Sequence, residues 1–129
     1  TPLYSSAASD VYKRQLEQYR AIRHLFMGDF YPLTPYSVAN DVWMAWQFDR
    51  PDSGEGMVQA FRRADSIYES ARFRLKALDP EARYLVSDVD LAGASEITGR
   101  ELMEKGLLVS LPQQPSAAVI VYRQVGPSR

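Results

Sequence analysis

The sequence predicts a mainly β protein: a small antiparallel β-sandwich preceded by one α-helix. About six short apolar segments follow one another between residues 42 and 124, separated by turns rich in proline, glycine and aspartate. Before them, apolar residues recur at the three- to four-residue spacing of an amphipathic helix over Leu16–Phe26. We assign residues 41–125 to the sandwich domain, residues 16–40 to the helix and the loop after it, and residues 126–129 to a tail.

The predicted helix carries its apolar residues on one face. The stripe runs from Leu16 to Phe26, and Gly28 is expected to end the helix. Because three helical turns are only marginally stable alone, the stripe should pack on another surface. In residues 30–40, Pro32 and Pro35 exclude regular structure, so an ordered, aromatic-rich loop is predicted there.

The first two strands are predicted to form a hairpin. Val42–Asp49 is almost entirely apolar, which indicates a strand covered on both faces. Arg50–Gly56 has the composition of a turn, and Met57–Arg63 is the second strand. This order favours an antiparallel pair at the start of the sandwich.

The next segment, Ala71–Leu78, alternates between apolar and basic residues. Phe73, Leu75 and Ala77 would face inward and the basic residues outward, so we predict a strand with one dry and one wet face. Asp79–Ala82 has proline at its second position and is predicted to be a type I turn.

The C-terminal third is predicted to hold three strands and one short helix. Thr98 and Glu101 have the spacing of a capping box, which predicts a helix of one or two turns that ends at Gly106. The three predicted strands are Arg83–Asp90, Leu107–Leu111 and Ala117–Gln124.

Composition excludes several classes of function. The chain has 129 residues, enough for one domain, with 46% apolar and 24% charged residues and a net charge of −1. Such a weak charge gives no reason to expect a nucleic-acid or membrane partner. The absence of cysteine excludes disulfides and thiolate metal sites, and we expect no cofactor and no bound metal.

The first fifteen residues differ in character from the rest. Ser5–Gln15 reads Ser-Ser-Ala-Ala-Ser-Asp-Val-Tyr-Lys-Arg-Gln, which matches the translation of a transposon-type sequencing-library adapter without a mismatch. We therefore interpret residues 1–15 as an adapter-derived artefact, either disordered or an extension of the helix. On this interpretation the natural sequence starts near Leu16, and the gene was cut at its 5′ end.

Titratable residues give few candidates for catalysis. The acidic pairs Asp49/Asp52, Asp79/Glu81 and Asp88/Asp90 lie in or beside turns, so solvated turn acids are expected rather than a pair acting across a substrate. His24 is the single histidine, which excludes a histidine-based metal cluster. Its helical position indicates a surface or packed residue.

Two further patterns have ordinary explanations. Arg72, Arg74, Lys76 and Arg83 could form a basic stripe, but nearby acids interrupt it, so a solvated strand face is favoured over a nucleic-acid interface. Gly54 has no helix after it and therefore does not form a phosphate-binding loop.

Aromatic residues are the weak candidates for a binding site. Trp43, Trp46, Tyr31 and Tyr36 could stack on the apolar faces of sugars. The two tryptophans are three residues apart, so on a flat strand they point to opposite faces and cannot form one platform. Packing in the core, or against a preceding domain, is the favoured interpretation for both.

From Tyr19 onward the chain resembles the C-terminal end of family 36 glycoside hydrolases, the bacterial α-galactosidases. The similarity spans nearly the whole segment to Arg123, and its motifs occur in family order. They are "IRHLFMGDFYPLTPYS", "VWMAWQFDRPDSGEGMVQAFRR", "LKALDPEARYLVSDVD", "ITGRELMEKGLLVSL" and "PSAAVIVYR".

The resemblance implies a multidomain parent enzyme. Such enzymes have a (β/α)8 catalytic barrel followed by a C-terminal β-sandwich, so Leu16–Phe26 would be the last barrel helix and residues 30–40 the crossover to the sandwich. The family hydrolyses terminal α-D-galactosides with retention through two aspartates. Both aspartates belong to barrel segments upstream of Leu16, so no catalytic residue is assigned here.

The resemblance therefore implies a fragment that is not itself an enzyme. Its expected partner is the missing barrel of the same chain, with a homo-oligomer as a further possibility, and an α-galactoside would be the substrate of the parent alone. Two alternatives remain open: a carbohydrate-binding sandwich module, and an interaction domain of another multidomain enzyme.

Overall fold

The computed structural model describes residues 3–34 and 41–127. A helix and a short 3-10 segment come before all eight strands of the described chain and pack beside a sandwich of two antiparallel sheets. The elements are α1 (Leu3–Ile22), the 3-10 segment (Arg23–Met27), β1 (Asp29–Pro32), β2 (Trp43–Arg50), β3 (Glu55–Arg62), β4 (Ser70–Phe73), β5 (Ala82–Asp88), β6 (Ser95–Thr98), α2 (Gly99–Glu104), β7 (Leu107–Ser110) and β8 (Ser116–Pro127).

The larger sheet contains six strands in the order β1-β2-β3-β8-β5-β6, and the smaller sheet pairs β4 with β7. Every pairing is antiparallel. β2 and β3 form the predicted hairpin, which Arg50 and Glu55 close as a register pair. Gly54 has a φ of +66° in the connecting turn, a conformation that glycine adopts without strain. The mainly β, antiparallel fold predicted from the sequence is confirmed.

The core lies between the two sheets and follows the alternation of the strands. On β2, Trp43 and Ala45 point into it, and on β8, Ala118, Ile120 and Tyr122 do so. The small sheet and α2 cover this face. They contribute Phe73, Leu102, Leu107 and Val109, all buried in the same cluster.

The opposite face of the large sheet is partly covered by the 3-10 segment, which contacts β2 and β3. Met57 belongs to this outer face, because it is paired with Phe48 on one side and Val121 on the other. Met57 is completely buried, and Leu25 of the 3-10 segment is only 3% exposed. The sheet is therefore covered on both faces at this end, as predicted for its first strand.

The N-terminal helix starts earlier than the predicted Leu16. The helix runs continuously from Leu3. The sequence allowed either disorder or an extension of the helix for residues 1–15, and residues 3–15 are helical. Among the described residues, no helix is long and apolar enough to cross a membrane.

Two strands were not predicted. β1 forms although Pro32 lies in it, because an edge strand tolerates a residue that donates no ladder hydrogen bond. β6, Ser95–Thr98, is short and mostly polar and is stabilised by its pairing with β5. Residues 35–40, the rest of the predicted loop, lie outside the described residues.

The predicted strand Ala71–Leu78 is only partly correct. β4 ends at Phe73, and Ala77 is exposed rather than inward, with a φ of +62°. This left-handed residue reverses the alternation, so Leu78 is buried in its place. Leu75 is inward as predicted, and its N–H donates to the carbonyl of Leu102 in α2.

Candidate functional site

Aromatic side chains are concentrated on the outer face of the large sheet. The register places Phe30 of β1 beside Phe48 of β2, and it places Trp46 and Phe61 on the same side. This side is opposite to the core-facing residues, since neighbouring residues of a strand alternate between faces. The alternation of β2 therefore builds a second apolar surface in addition to the core.

Four rings connect the helix to the sheet edge. The ring centroids of Tyr19 and Phe26 are 6.4 Å apart, those of Phe26 and Phe48 5.2 Å, and those of Phe48 and Phe30 5.4 Å. We name these four residues the aromatic row. Tyr19 is 53% exposed and Phe30 56%, and Met27, which follows Phe26 in the chain, is 82% exposed. A contiguous exposed apolar surface of this kind is typical of a protein–protein contact.

We call α1 and the 3-10 segment together the helical segment. Polar contacts next to the aromatic row hold it to the sheet. Nε2 of His24 lies 3.2 Å from Oε1 of Glu55, and a guanidinium N–H of Arg50 donates to the carbonyl of His24 over 3.2 Å. The Gln18 side chain donates to the carbonyl of Val89 over 3.1 Å. Below these contacts, a cavity of about 230 Å³ separates the helix from the sheet.

The predicted tryptophans lie on opposite faces of β2, as their spacing indicated. Trp43 is buried in the core, its ring is 5.9 Å from that of Phe73, and its indole N–H donates to the carbonyl of Tyr68. Trp46 is half-buried on the outer face, where its indole N–H donates to Gln59 over 2.6 Å and its ring lies 5.1 Å from that of Phe61.

The two tyrosine candidates are not brought onto the aromatic row. Tyr31 pairs with Gln47 in the register and so points to the side of β1 opposite Phe30. Tyr36 lies outside the described residues. The four predicted aromatic candidates are therefore not assembled into one site by the described part of the chain.

Asp49 contradicts the expectation that every paired acid is a solvated turn residue. It is 3% exposed and faces the interior of the sandwich. Tyr122 donates its hydroxyl proton to Oδ1 of Asp49 over 2.6 Å, and Gln47 donates to that hydroxyl oxygen over 2.8 Å. Burial raises the pKa of Asp49 above its ordinary value, the Tyr122 hydrogen bond lowers it, and the charge of Asp29 raises it.

The same network fixes the loop after β4. Gln47 is completely buried, and its amide both donates to the carbonyl of Lys76 and accepts from the N–H of Lys76. Burial and the Asp49 contact raise the pKa of Tyr122 above its ordinary range. The alternation of β2 could have revealed this network, because Gln47 and Asp49 share the inward face with Trp43.

The other predicted titratable candidates have structural partners. In the pairs Asp79/Glu81 and Asp88/Asp90, the carboxylate of the first residue accepts a hydrogen bond from the backbone N–H of the second, which is a contact typical of turns. The basic residues Arg72, Arg74, Lys76 and Arg83 are exposed, and Arg83 pairs with Glu96 at 3.1 Å. In residues 3–34 and 41–127, no group of three or more potential ligands is arranged to hold a metal ion.

Comparison with known proteins identifies relatives of the whole sandwich. Residues 43–122 match the profile of the glycosyl hydrolase family 36 C-terminal domain. The family 36 α-galactosidase AgaB from Geobacillus stearothermophilus is 30% identical with a TM-score of 0.67, over 90% of this chain and 16% of its own. The α-galactosidase AgaA from the same organism is 26% identical with a TM-score of 0.74, over 92% of this chain and 16% of its own. No curated protein sequence matches.

Proposed function

Because this chain belongs to the glycosyl hydrolase family 36 C-terminal domain family, we propose that it serves as the non-catalytic C-terminal domain of a longer α-galactosidase-like hydrolase. The chain spans about one sixth of the length of the α-galactosidases that it matches. The parent would hydrolyse terminal α-D-galactosides with retention. Its two catalytic aspartates would lie in the part of the parent that precedes this domain.

The aromatic row is the observation that carries this proposal. A domain that worked alone would gain little from exposed rings along its helix and sheet edge, whereas the same rings would be buried against a neighbouring domain. We propose that the catalytic barrel of the parent covers this surface. On this proposal, residues 16–26, which lie in α1 and the 3-10 segment, would form the last barrel helix, and residues 30–40 would be the crossover to the sandwich.

The contact would fix the position of the barrel relative to the sandwich. Tyr19 and Phe26 belong to the helical segment and Phe48 and Phe30 to the sheet, so one partner surface would touch both elements. Aromatic rings bury a large apolar area for few lost rotamers, which suits them to the centre of an interface. A homo-oligomeric contact through the same surface is the alternative arrangement of this proposal.

The first test concerns catalysis. The purified chain should release no p-nitrophenol from p-nitrophenyl α-D-galactoside above a heat-inactivated sample, because on this proposal the two catalytic aspartates belong to the part of the parent that precedes this domain. Hydrolysis at any measurable rate that co-purifies with the chain would refute the non-catalytic assignment.

The second test concerns the apolar surface. The double variant Tyr19→Ser/Phe30→Ser should bind much less of a hydrophobic fluorescent dye than the unsubstituted chain, with the β-sheet circular dichroism retained. The matched control is Leu91→Ser/Leu108→Ser, which removes two other exposed apolar side chains outside the aromatic row. An equal loss of dye binding in both variants would show that the row is not a distinct docking surface.

Sugar binding is the second candidate function, and Trp46 is the described residue that supports it. This tryptophan keeps part of its ring accessible on the outer face, next to Phe61. A glycan array that includes galactomannan fragments tests the idea. Binding that is lost in Trp46→Ala and kept in Tyr68→Ala, an exposed aromatic of a different loop, would replace the docking role by a sugar-binding one.

A further inference from the structure

One of the side chains that tie the helical segment to the sandwich is His24, the single histidine of the chain. Its Nε2 atom lies 3.2 Å from Oε1 of Glu55, and both side chains are partly exposed, 42% for His24 and 30% for Glu55. His24 belongs to the 3-10 segment and Glu55 to β3, so this pair joins two elements that are otherwise held together by packing.

We propose that the His24–Glu55 pair is a pH-dependent latch, which holds the helical segment on the sheet more firmly when His24 is protonated. In the neutral ring only one nitrogen carries a proton, and the contact exists only in the tautomer that has it on Nε2. Protonation places a proton on both nitrogens and adds a positive charge opposite the carboxylate. The hydrogen bond then becomes charge-assisted and stronger.

Between about pH 5 and pH 8, where histidine side chains change charge, the other charged groups around the pair are arginines and one further carboxylate. Arg50 of β2 donates to the carbonyl of His24 and also pairs with Asp52 at 3.6 Å. Arg123 of β8 is the register partner of Glu55 and lines the same cavity. Arginine stays charged throughout this range, and Glu55 has His24 as its ion-pair partner among the described residues. Arg20 and Arg23 on the helical segment itself are likewise permanently charged.

The latch controls access to a buried residue, which makes it measurable. Leu25 follows His24 and is 3% exposed, so it becomes accessible only when the 3-10 segment leaves the sheet. These 129 residues include no cysteine, and a Leu25→Cys variant therefore carries a single thiol at this position. Its rate of reaction with a disulfide reagent such as 4,4′-dithiodipyridine reports how often the segment opens.

The experiment compares Leu25→Cys with Leu25→Cys/Glu55→Gln at about pH 5.5 and about pH 8, using the ratio of their labelling rates at each pH. This ratio cancels the intrinsic pH dependence of the thiol. We expect Glu55→Gln to raise the rate about threefold at the lower pH, within the range of partly exposed ion pairs, and much less at the higher pH. With His24→Gln added, the pH difference should disappear.

Two controls separate the latch from general effects. Glu96→Gln removes another partly exposed carboxylate, which pairs with Arg83 on the far strands, and it should leave the labelling rate unchanged. Hydrogen exchange of residues 18–27 in the cysteine-free chain, with and without Glu55→Gln, gives the same comparison independently of Leu25→Cys. A Glu55→Gln effect that is equal at both pH values, that is larger at the higher pH, or that persists with His24→Gln would overturn the proposal.

Discussion

Removing the hydroxyl of Tyr122 tests the buried network most directly. In Tyr122→Phe, Asp49 loses the 2.6 Å hydrogen bond that its carboxylate accepts, and Gln47 loses one of its acceptors. Hydrogen bonds to charged groups contribute about 1.5–3 kcal/mol, so we expect the free energy of unfolding to fall by roughly 2–3 kcal/mol near neutral pH. The ring keeps its edge contact with Tyr84, at a centroid distance of 5.8 Å, so little packing is lost.

The pH dependence of this loss has a defined sign. Burial raises the pKa of Asp49 in the folded chain, so its contribution to stability is present below the unfolded pKa and is lost as pH rises through the folded pKa. The Tyr122 hydrogen bond opposes this rise, and without it the folded pKa increases further. Each added unit costs about 1.4 kcal/mol at neutral pH. The deficit of Tyr122→Phe should therefore shrink as pH falls below the folded pKa of Asp49.

Urea denaturation at pH 7 and at about pH 4 measures both effects. Tyr84→Phe is the matched control, because Tyr84 is equally buried but its hydroxyl accepts a neutral backbone N–H from Asp79. Its loss should be about 1 kcal/mol and nearly independent of pH. Equal losses in the two variants at pH 7, or a Tyr122→Phe deficit that grows on acidification, would refute the role of the Asp49 contact.

Two further predictions follow from the outer face and from the hairpin. Leu25→Ala should destabilise the chain by about 2–5 kcal/mol, because Leu25 of the 3-10 segment is almost completely buried. Deletion of residues 1–15 should leave the melting temperature unchanged. Thermal melts of both variants check this, and a similar loss in each would contradict it. Gly56→Ala should prevent folding or lower the free energy of unfolding by several kcal/mol, because the added Cβ would meet the Tyr122 hydroxyl and lie 2.5 Å from the carbonyl oxygen of Phe48. A stably folded variant with an unchanged urea midpoint would disprove the close approach.

The alternation of β2 shows how much of this architecture sequence periodicity can predict. Eight residues of period two placed Trp43 and Trp46 on opposite faces, because neighbouring side chains of a strand must point apart. The same rule predicts that the side chain of Asp49 points inward, as it does. The residue type indicated an exposed side chain instead, since an isolated acid is costly to bury. The partner that makes burial possible, Tyr122, is distant in the sequence.

The features that the sequence did not predict depend on contacts between distant segments. β1 contains both Asp29 and Pro32, which disfavour a strand, and it forms because the edge of β2 offers unpaired backbone groups. Ala77 carries no signal for a left-handed conformation, yet the loop around it is tied to Gln47 on another strand. The aromatic row likewise contains two residues with helical spacing, Tyr19 and Phe26, and two residues of strands, Phe30 and Phe48. Neither spacing alone indicates that the rings of the helical segment meet those of the sheet.

The placement of the two tryptophans on opposite faces of one strand also gives the chain two separate optical reporters. Trp43 is enclosed between the sheets, so its fluorescence should change only when the sandwich unfolds. Trp46 lies on the outer face near the surface proposed for the barrel, so its emission should shift when another molecule covers that face. Since these are the only tryptophans, single Trp→Phe variants would let docking and unfolding be followed independently in one unlabelled chain.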